Sequence, residues 1–285
     1  MKNYAKKAYQ TRVLQAHGKE IILGQRTLVM GILNVTPDSF SDGGRHNEVE
    51  AALAHAKKML AEGADIIDVG GESTRPGAKE VSLEEEIQRV VPVIEALARE
   101  TDAIISIDTY KAQVAEQAVA AGAHIINDVW GMQREPEIAQ VAGRHKVPVI
   151  AMHNQKGTTY DGDILEAMKV FFQRTVAIAE GAGMRLDQLV LDPGIGFGKT
   201  PIQNVQVMGR LQELNELGYP VLLGTSRKSM IGAILDLPSD QRVEGTIATN
   251  VLGVMAGCEI IRVHDIVENR RAIRVADAIV RGWNG

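Results

Sequence analysis

The chain has a single cysteine, Cys258, in 285 residues. One thiol can form neither an intramolecular disulfide framework nor a cysteine-based zinc finger. No apolar run approaches the 18 residues that suggest a membrane helix. The opening MKNYAKKAYQTRVLQ carries lysines with no apolar segment behind them, so no secretory signal is expected. An excess of positive charge is lacking as well. The 31 Lys and Arg against 36 Asp and Glu give a net charge of −5, without long like-charge runs, and this excludes a general nucleic-acid binder. A small anionic ligand stays open, because a few local arginines outweigh a weak global field.

What is present is an ordinary globular balance, 45% hydrophobic and 24% charged. The length allows two domains or one α/β barrel of about 250 residues. A chain of this size hides about 70–75% of its surface on folding, ample for one substantial core. The composition suggests a reduced, cytoplasmic enzyme, with residues 1–285 forming one domain.

Eight β-branched apolar runs recur along the chain, at 28–33, 65–69, 103–107, 124–128, 147–152, 188–192, 220–224 and 259–263. They do not alternate with polar residues, which suits strands buried on both faces of a parallel sheet. Amphipathic stripes separate them. Val49, Leu53, Ala56 and Leu60 share one helical face, with Asn47 and Glu50 spaced as a capping box. Ser82 and Glu85 repeat that box before a helix that Pro92 should kink. Further stripes run through Ile164, Met168, Phe171, Thr175 and Ile178, through Val205, Met208, Leu211 and Leu214, and through Ile273, Ala276 and Val280. Strict strand–helix alternation eight times over predicts a (β/α)8 barrel. Residues 11–23 read as a small hairpin able to close the barrel bottom, and the helix before the last strand is expected to split at Pro238.

A weak internal repeat points to the other end. Gly63-Ala-Asp-Ile-Ile-Asp68, Gly122-Ala-His-Ile-Ile-Asn127 and Gly257-Cys-Glu-Ile-Ile-Arg262 share one register. Each puts a polar residue near the C-terminal end of its strand, where barrel active sites lie. A polar layer inside the barrel is the alternative. Unpaired, such a layer would cost several kcal/mol.

The segments that follow the strands carry the candidate chemistry. Asn34-Val-Thr-Pro-Asp-Ser-Phe40-Ser-Asp-Gly-Gly44 and Gly70-Gly-Glu-Ser-Thr74-Arg75-Pro76-Gly77 are polar, turn-rich loops of the kind that cover a barrel mouth. Asp192-Pro-Gly-Ile-Gly196-Phe197-Gly-Lys199-Thr200 invites a phosphate-loop reading, but Pro193 stands where the first glycine is needed. Gly224-Thr-Ser-Arg227-Lys228-Ser229 places cations at the mouth, with Ser226 or Ser229 able to cap a helix and an anion expected at its N-terminus. Arg262 and His264 lie two residues apart and so share a strand face. Cys258, at the bottom of the last strand, reads as a small core residue.

Taken together, NVTPDSFSDGG, GGESTRPGA, SIDT, DPGIGFGKT, GTSRKS and RVHD resemble the motifs of bacterial dihydropteroate synthases, in the family's order over roughly residues 26–282. The stretch Met152-His153-Asn154-Gln-Lys-Gly157 is one that the family varies. The resemblance implies a (β/α)8 barrel of folate biosynthesis that joins 6-hydroxymethyl-7,8-dihydropterin diphosphate to p-aminobenzoate with Mg²⁺, releasing pyrophosphate.

It also implies roles for individual residues. Asp108, Asn127, Met152, Asp192, Gly196, Phe197 and Lys228 would form the pterin site. Asn34, Arg75, Arg262 and His264 would hold the diphosphate, with Asn34 the metal ligand. Phe40, Thr74, Arg75, Pro76, Phe197, Lys228 and Ser229 would line the p-aminobenzoate pocket. Asp108, Lys228, Arg262 and His264 are the expected catalytic residues, acting in an SN1-like step without a covalent intermediate. Asp68 could be a buried structural acid and stays outside this set. A homodimer and sensitivity to sulfonamides are further implications. The alternatives are a pterin-binding methyltransferase-type domain and a non-catalytic pterin-binding paralogue.

Overall fold

A computed structural model describes residues 10–35, 44–73 and 80–283. The chain opens with an antiparallel hairpin, β1 (Arg12–Ala16) and β2 (Lys19–Leu23), turned at His17-Gly18. Parallel strands and helices then alternate. In order they are β3 (Leu28–Asn34), α1 (Gly44–Ala61), β4 (Ile66–Gly70), α2 (Leu83–Glu100), β5 (Ile104–Asp108), α3 (Ala112–Ala120), β6 (Ile125–Asp128), α4 (Glu137–His145) and β7 (Val149–Met152). The second half continues with α5 (Ile164–Gly181), β8 (Leu189–Asp192), α6 (Pro201–Gly209), β9 (Leu222–Leu223), α7 (Ser229–Leu235), α8 (Val243–Ala256), β10 (Ile260–Val263) and α9 (Ile266–Arg281).

The eight parallel strands are ordered β8-β7-β6-β5-β4-β3-β10-β9, and a bridge between Leu191 and Val221 brings the two ends together. Leu191 N–H donates to the Pro220 carbonyl at that seam, at 2.9 Å. The result is the eight-stranded barrel that the alternation of runs predicts.

Its core has two compartments. Between strands and outer helices, Ile67, Ile105, Ile107, Ile126, Val149, Leu191 and Ile261 are buried against Ile94, Val114, Leu165 and Phe172 from the helices. At the floor of the barrel interior, Leu28, Met30, Ile66, Ile125, Ile150, Val190, Leu222 and Ile260 meet Leu14, Ala16, Ile21 and Leu23 of the hairpin. The hairpin therefore plugs the bottom, as its place in the sequence suggests. Polar ties fix it there. Lys19 Nζ donates to the carbonyls of Asp102 and Ala103 (2.9 and 3.2 Å), Gln15 N–H to Gln188 Oε1 (2.7 Å) and Arg12 to the Gly218 carbonyl (2.7 Å).

Several local expectations need correction. Helix α1 begins at Gly44, so Asn47 lies inside its first turn and not at a cap. Its buried line is Ala52, Ala56 and Met59, rotated from the predicted stripe, with Val49, Leu53 and Leu60 half-buried at the margin. Val205 is exposed, because α6 stops at Gly209 and a 3₁₀ turn (Leu211–Leu217) carries Leu211 and Leu214 into the core. Ser82 does cap α2 by accepting from Glu85 N–H (3.2 Å), and α2 runs continuously past Pro92. Pro238 separates α7 from α8 as expected. Cys258 is buried in the core.

Candidate active site

The C-terminal strand ends form one polar surface. Strand register puts Asn34 level with Gly70, Gly70 with Asp108, and Asp108 with Asn127, while Met152 pairs with Asp192 across β7 and β8. The three residues of the internal repeat meet here. Asp68 Oδ2 accepts from Asn127 Nδ2 (3.0 Å) and from Arg262 Nε (2.6 Å). Arg262 also donates to Asp108 Oδ2 through a terminal nitrogen, at 2.6 Å. One guanidinium thus bridges two acids that are almost fully buried, Asp68 at 0% and Asp108 at 7% exposure. The repeat is both a bonded layer and part of the mouth.

This layer is not fully satisfied. Asp68 Oδ1, Asp108 Oδ1 and Ser106 Oγ are buried with no hydrogen-bond partner among the described residues. Such buried groups need partners, and the described side chains do not supply them. Burial pushes the Asp108 carboxyl up to about 7, while the Arg262 charge pulls it the other way. Arg262 itself is held protonated above its ordinary range; burial opposes this, but Asp68 and Asp108 outweigh it.

A second cluster faces it. Asp192, buried at the end of β8, accepts from Gly194 N–H on Oδ1 (2.7 Å). Its pKa is raised by burial, against the pull of Lys228. Lys228 Nζ donates to the Ile195 carbonyl and lies 4.6 Å from the centre of the Phe197 ring. Burial lowers that ammonium to about 8, with Asp192 working to keep its proton. Gly224 keeps the space between them open, since a Cβ there would come within 3.8–4.0 Å of Arg262, Lys228 Nζ and Asp192 Oδ2. Gly196 has φ +86° and lies against the Lys228 stem. Met152 is buried in an apolar group with Tyr110 and Val129, flanked by Trp130 and Phe197. Flat apolar walls and a rim of donors and acceptors therefore share one mouth.

The remaining expectations divide. Ser226 Oγ pairs with His264 Nδ1 (2.9 Å) and accepts from His264 N–H (3.1 Å), so Ser226 orients the histidine and caps no helix. Ser229 is the exposed first residue of α7, whose cap position is Lys228 with no side-chain cap bond. Arg227, at φ +57°, bonds Asp265 with Nε at 3.0 Å. Phe40, Thr74, Arg75 and Pro76 lie outside the described residues. Sequence reasoning set Asp68 aside, and its place in the repeat register was the signal for it.

Among the described residues no three His, Cys, Asp or Glu side chains come together as a metal cage. Asn34 is exposed at the end of β3, and its Oδ1 and the Asp108 side chain both border Gly70. One neutral oxygen fits an ion that keeps its waters and takes further oxygens from a phosphorylated ligand, as Mg²⁺ does.

Comparison with known proteins matches this arrangement. Residues 30–264 fit the model of the family described as pterin binding enzyme. A dihydropteroate synthase of Clostridium beijerinckii is 54% identical over 267 residues, covering 92% of this chain and 98% of its own. The chain belongs to the dihydropteroate synthase family. Solved members share its architecture. A dihydropteroate synthase of Clostridium difficile, solved in the presence of pteroic acid, superposes with a TM-score of 0.89 at 55% identity, over 90% of this chain and 98% of that one. One of Yersinia pestis, solved as a sulfonamide drug complex, gives 0.87 at 45% identity, over 95% and 100%.

Proposed function

We propose that this chain condenses 6-hydroxymethyl-7,8-dihydropterin diphosphate with p-aminobenzoate, giving 7,8-dihydropteroate and pyrophosphate. The observation that carries the reading is the paired polar cluster, Asp108–Asn127–Asp68–Arg262 facing Asp192–Lys228, above apolar Met152 and Phe197. A pterin edge alternates N–H donors with carbonyl and ring-nitrogen acceptors. Carboxylates, an amide and an ammonium complement that pattern. The orphaned carboxylate oxygens are acceptors in want of such donors.

Chemistry at the methylene needs no protein nucleophile. Pyrophosphate leaves well when its charge is neutralised, and the electron-rich dihydropterin stabilises a cationic methylene. Asp108, ionised, stabilises that cation; Arg262 and His264 face the leaving diphosphate, and the aniline nitrogen attacks afterwards. Such catalysis consists of charge stabilisation and orientation. Mg²⁺, bound through Asn34, would supply further neutralisation of the diphosphate. Ser229 and the start of α7 would meet the p-aminobenzoate carboxylate, with Phe40, Thr74, Arg75 and Pro76 completing that pocket. A sulfonamide presents an aniline ring and an acidic sulfonyl group of like shape, so it would compete there.

A cytoplasmic homodimer belongs to the same proposal. No helix among the described residues is long and apolar enough to cross a membrane. The deciding experiment is pyrophosphate release from the dihydropterin diphosphate, Mg²⁺ and p-aminobenzoate, with sulfamethoxazole as inhibitor. Turnover that depends on p-aminobenzoate and competitive inhibition are expected. Pterin binding without turnover would favour the non-catalytic alternative.

A further inference from the structure

The turn after β8 ends in Gly198-Lys199-Thr200, a triplet to which the proposed reaction assigns no role. In a phosphate loop such a lysine reaches out to phosphate oxygens. Here it turns inward. Lys199 is 7% exposed, and its Nζ pairs with His153 Nδ1 (2.8 Å) and donates to the Gly194 carbonyl (3.0 Å) and to the Phe197 carbonyl (3.1 Å). Three partners surround its Nζ, so the turn is wrapped round its own lysine.

The anchor is rigid. His153 is 2% exposed, and its ring packs against Phe171 (4.8 Å between centroids) and stacks on Tyr160 (6.1 Å). A Cβ on Gly194 would overlap the His153 carbonyl oxygen, which shows how closely the turn is drawn in. The same few residues face the mouth on their other side. The Ile195 carbonyl accepts from Lys228 Nζ, and the Phe197 ring lies beneath that ammonium. Phe197 thus holds both lysines, Lys228 with its ring and Lys199 with its carbonyl, and Gly194 and Ile195, which supply the other carbonyls, are neighbours in the chain.

We propose that Lys199 is a positioning residue: by fastening the 194–197 turn to His153, it sets where Lys228 Nζ and the Phe197 ring meet the pterin. The inference rests on the pterin site proposed above. An aliphatic side chain at 199 would take a partner from the Phe197 carbonyl and from His153 Nδ1 and leave the Gly194 carbonyl with only the Phe197 N–H (3.1 Å). The turn would then shift to recover hydrogen bonds, and the Ile195 carbonyl would shift with it. The effect is largest at the pterin end, and p-aminobenzoate, whose expected pocket shares Phe197 and Lys228, feels it less.

The test uses the full chain with Lys199→Met and Lys199→Arg. Calorimetry measures the Kd of 7,8-dihydropterin, and kinetics give KM for each substrate. Lys199→Met should weaken dihydropterin about tenfold or more and raise the pterin-diphosphate KM to match, with a smaller rise in the p-aminobenzoate KM. Lys199→Arg should recover part of the loss. In a Phe197→Ala background the penalty of Lys199→Met should shrink, because part of its route to the ligand is gone. Unchanged dihydropterin affinity in folded Lys199→Met, or an equal loss for both substrates, would overturn the proposal. If Lys199→Met does not fold, His153→Phe removes one acceptor at similar size, and wild-type dihydropterin affinity there overturns it equally. A wild-type chain that does not bind dihydropterin refutes the function itself, a separate and distinguishable failure.

Discussion

At the floor of the barrel, Leu28, Met30, Ile66, Ile125, Ile150, Val190, Leu222 and Ile260 close on the hairpin's Leu14, Ala16, Ile21 and Leu23. A few residues farther along the same strands, at the mouth, the inward side chains are Asp68, Asp108, Asn127, Asp192 and Arg262. Both ends are closely surrounded by protein, yet one is apolar and satisfied while the other leaves carboxylate oxygens unpaired. The difference teaches where each kind of free energy resides. The floor supplies stability, and the mouth gives some of it up in exchange for a poised electrostatic surface.

The largest effects should separate the two ends. Leu23→Ala, at a fully buried floor position, should cost about 2–5 kcal/mol of stability by leaving a cavity. Its kcat should stay close to wild type once the protein is folded. Thermal or urea unfolding with parallel assays checks this, and a large kcat loss in the folded variant would show that the floor is not merely structural.

Asp108→Asn should do the reverse. It keeps the shape but removes one charge beside the developing cation, so kcat should fall about 10²–10³-fold with little loss of melting temperature. A folded variant with wild-type kcat would remove Asp108 from the chemistry.

Acidity distinguishes the ends in a third way. At the floor side His124 accepts from Ile105 N–H (3.1 Å), and burial, helped by Lys19 and His17, lowers it from 6.5 to about 4. Between those values the unfolded chain binds more protons than the folded one, so stability should fall as pH drops from about 6.5 to 4. Replacing His124 with Asn should flatten the melting temperature across that window. At the mouth Asp108, raised to about 7, must be ionised to stabilise a cation. The rate should therefore fall as pH drops through about 7, and Asp108→Asn should lose that dependence.

The smallest effect lies at the outer rim. Ser229→Ala, at an exposed helix start, should weaken p-aminobenzoate and sulfamethoxazole alike, by about 0.5–1.5 kcal/mol for one hydrogen bond. Inhibition constants and KM measured side by side would expose any preference.

Much of this was legible in the sequence, for physical reasons. Strands buried on both faces lose alternation and become continuous apolar runs, so all eight could be read. The repeat put Asp68, Asn127 and Arg262 in one register, and the structure bonds them to one another. Long-range pairing was not legible. Nothing local says that Ser226 answers His264 across 38 residues, or that Lys199 answers His153 across 46. Helix faces were also harder to fix than helices. In α1 Ala52, Ala56 and Met59 pack inward and Val49, Leu53 and Leu60 sit at the margin, so of the predicted stripe only Ala56 lies on the buried line.

The hairpin that seals the floor leaves the barrel a cup with a single lip. Traffic through such a vessel is last in, first out. On the proposed assignment, a pterin seated against Asp192 and Asn127, both nearly fully buried, would have to arrive before p-aminobenzoate near exposed Ser229 and depart after it. The container itself would then impose a loading order. An inhibitor at the lip would then hold in whatever lies below it.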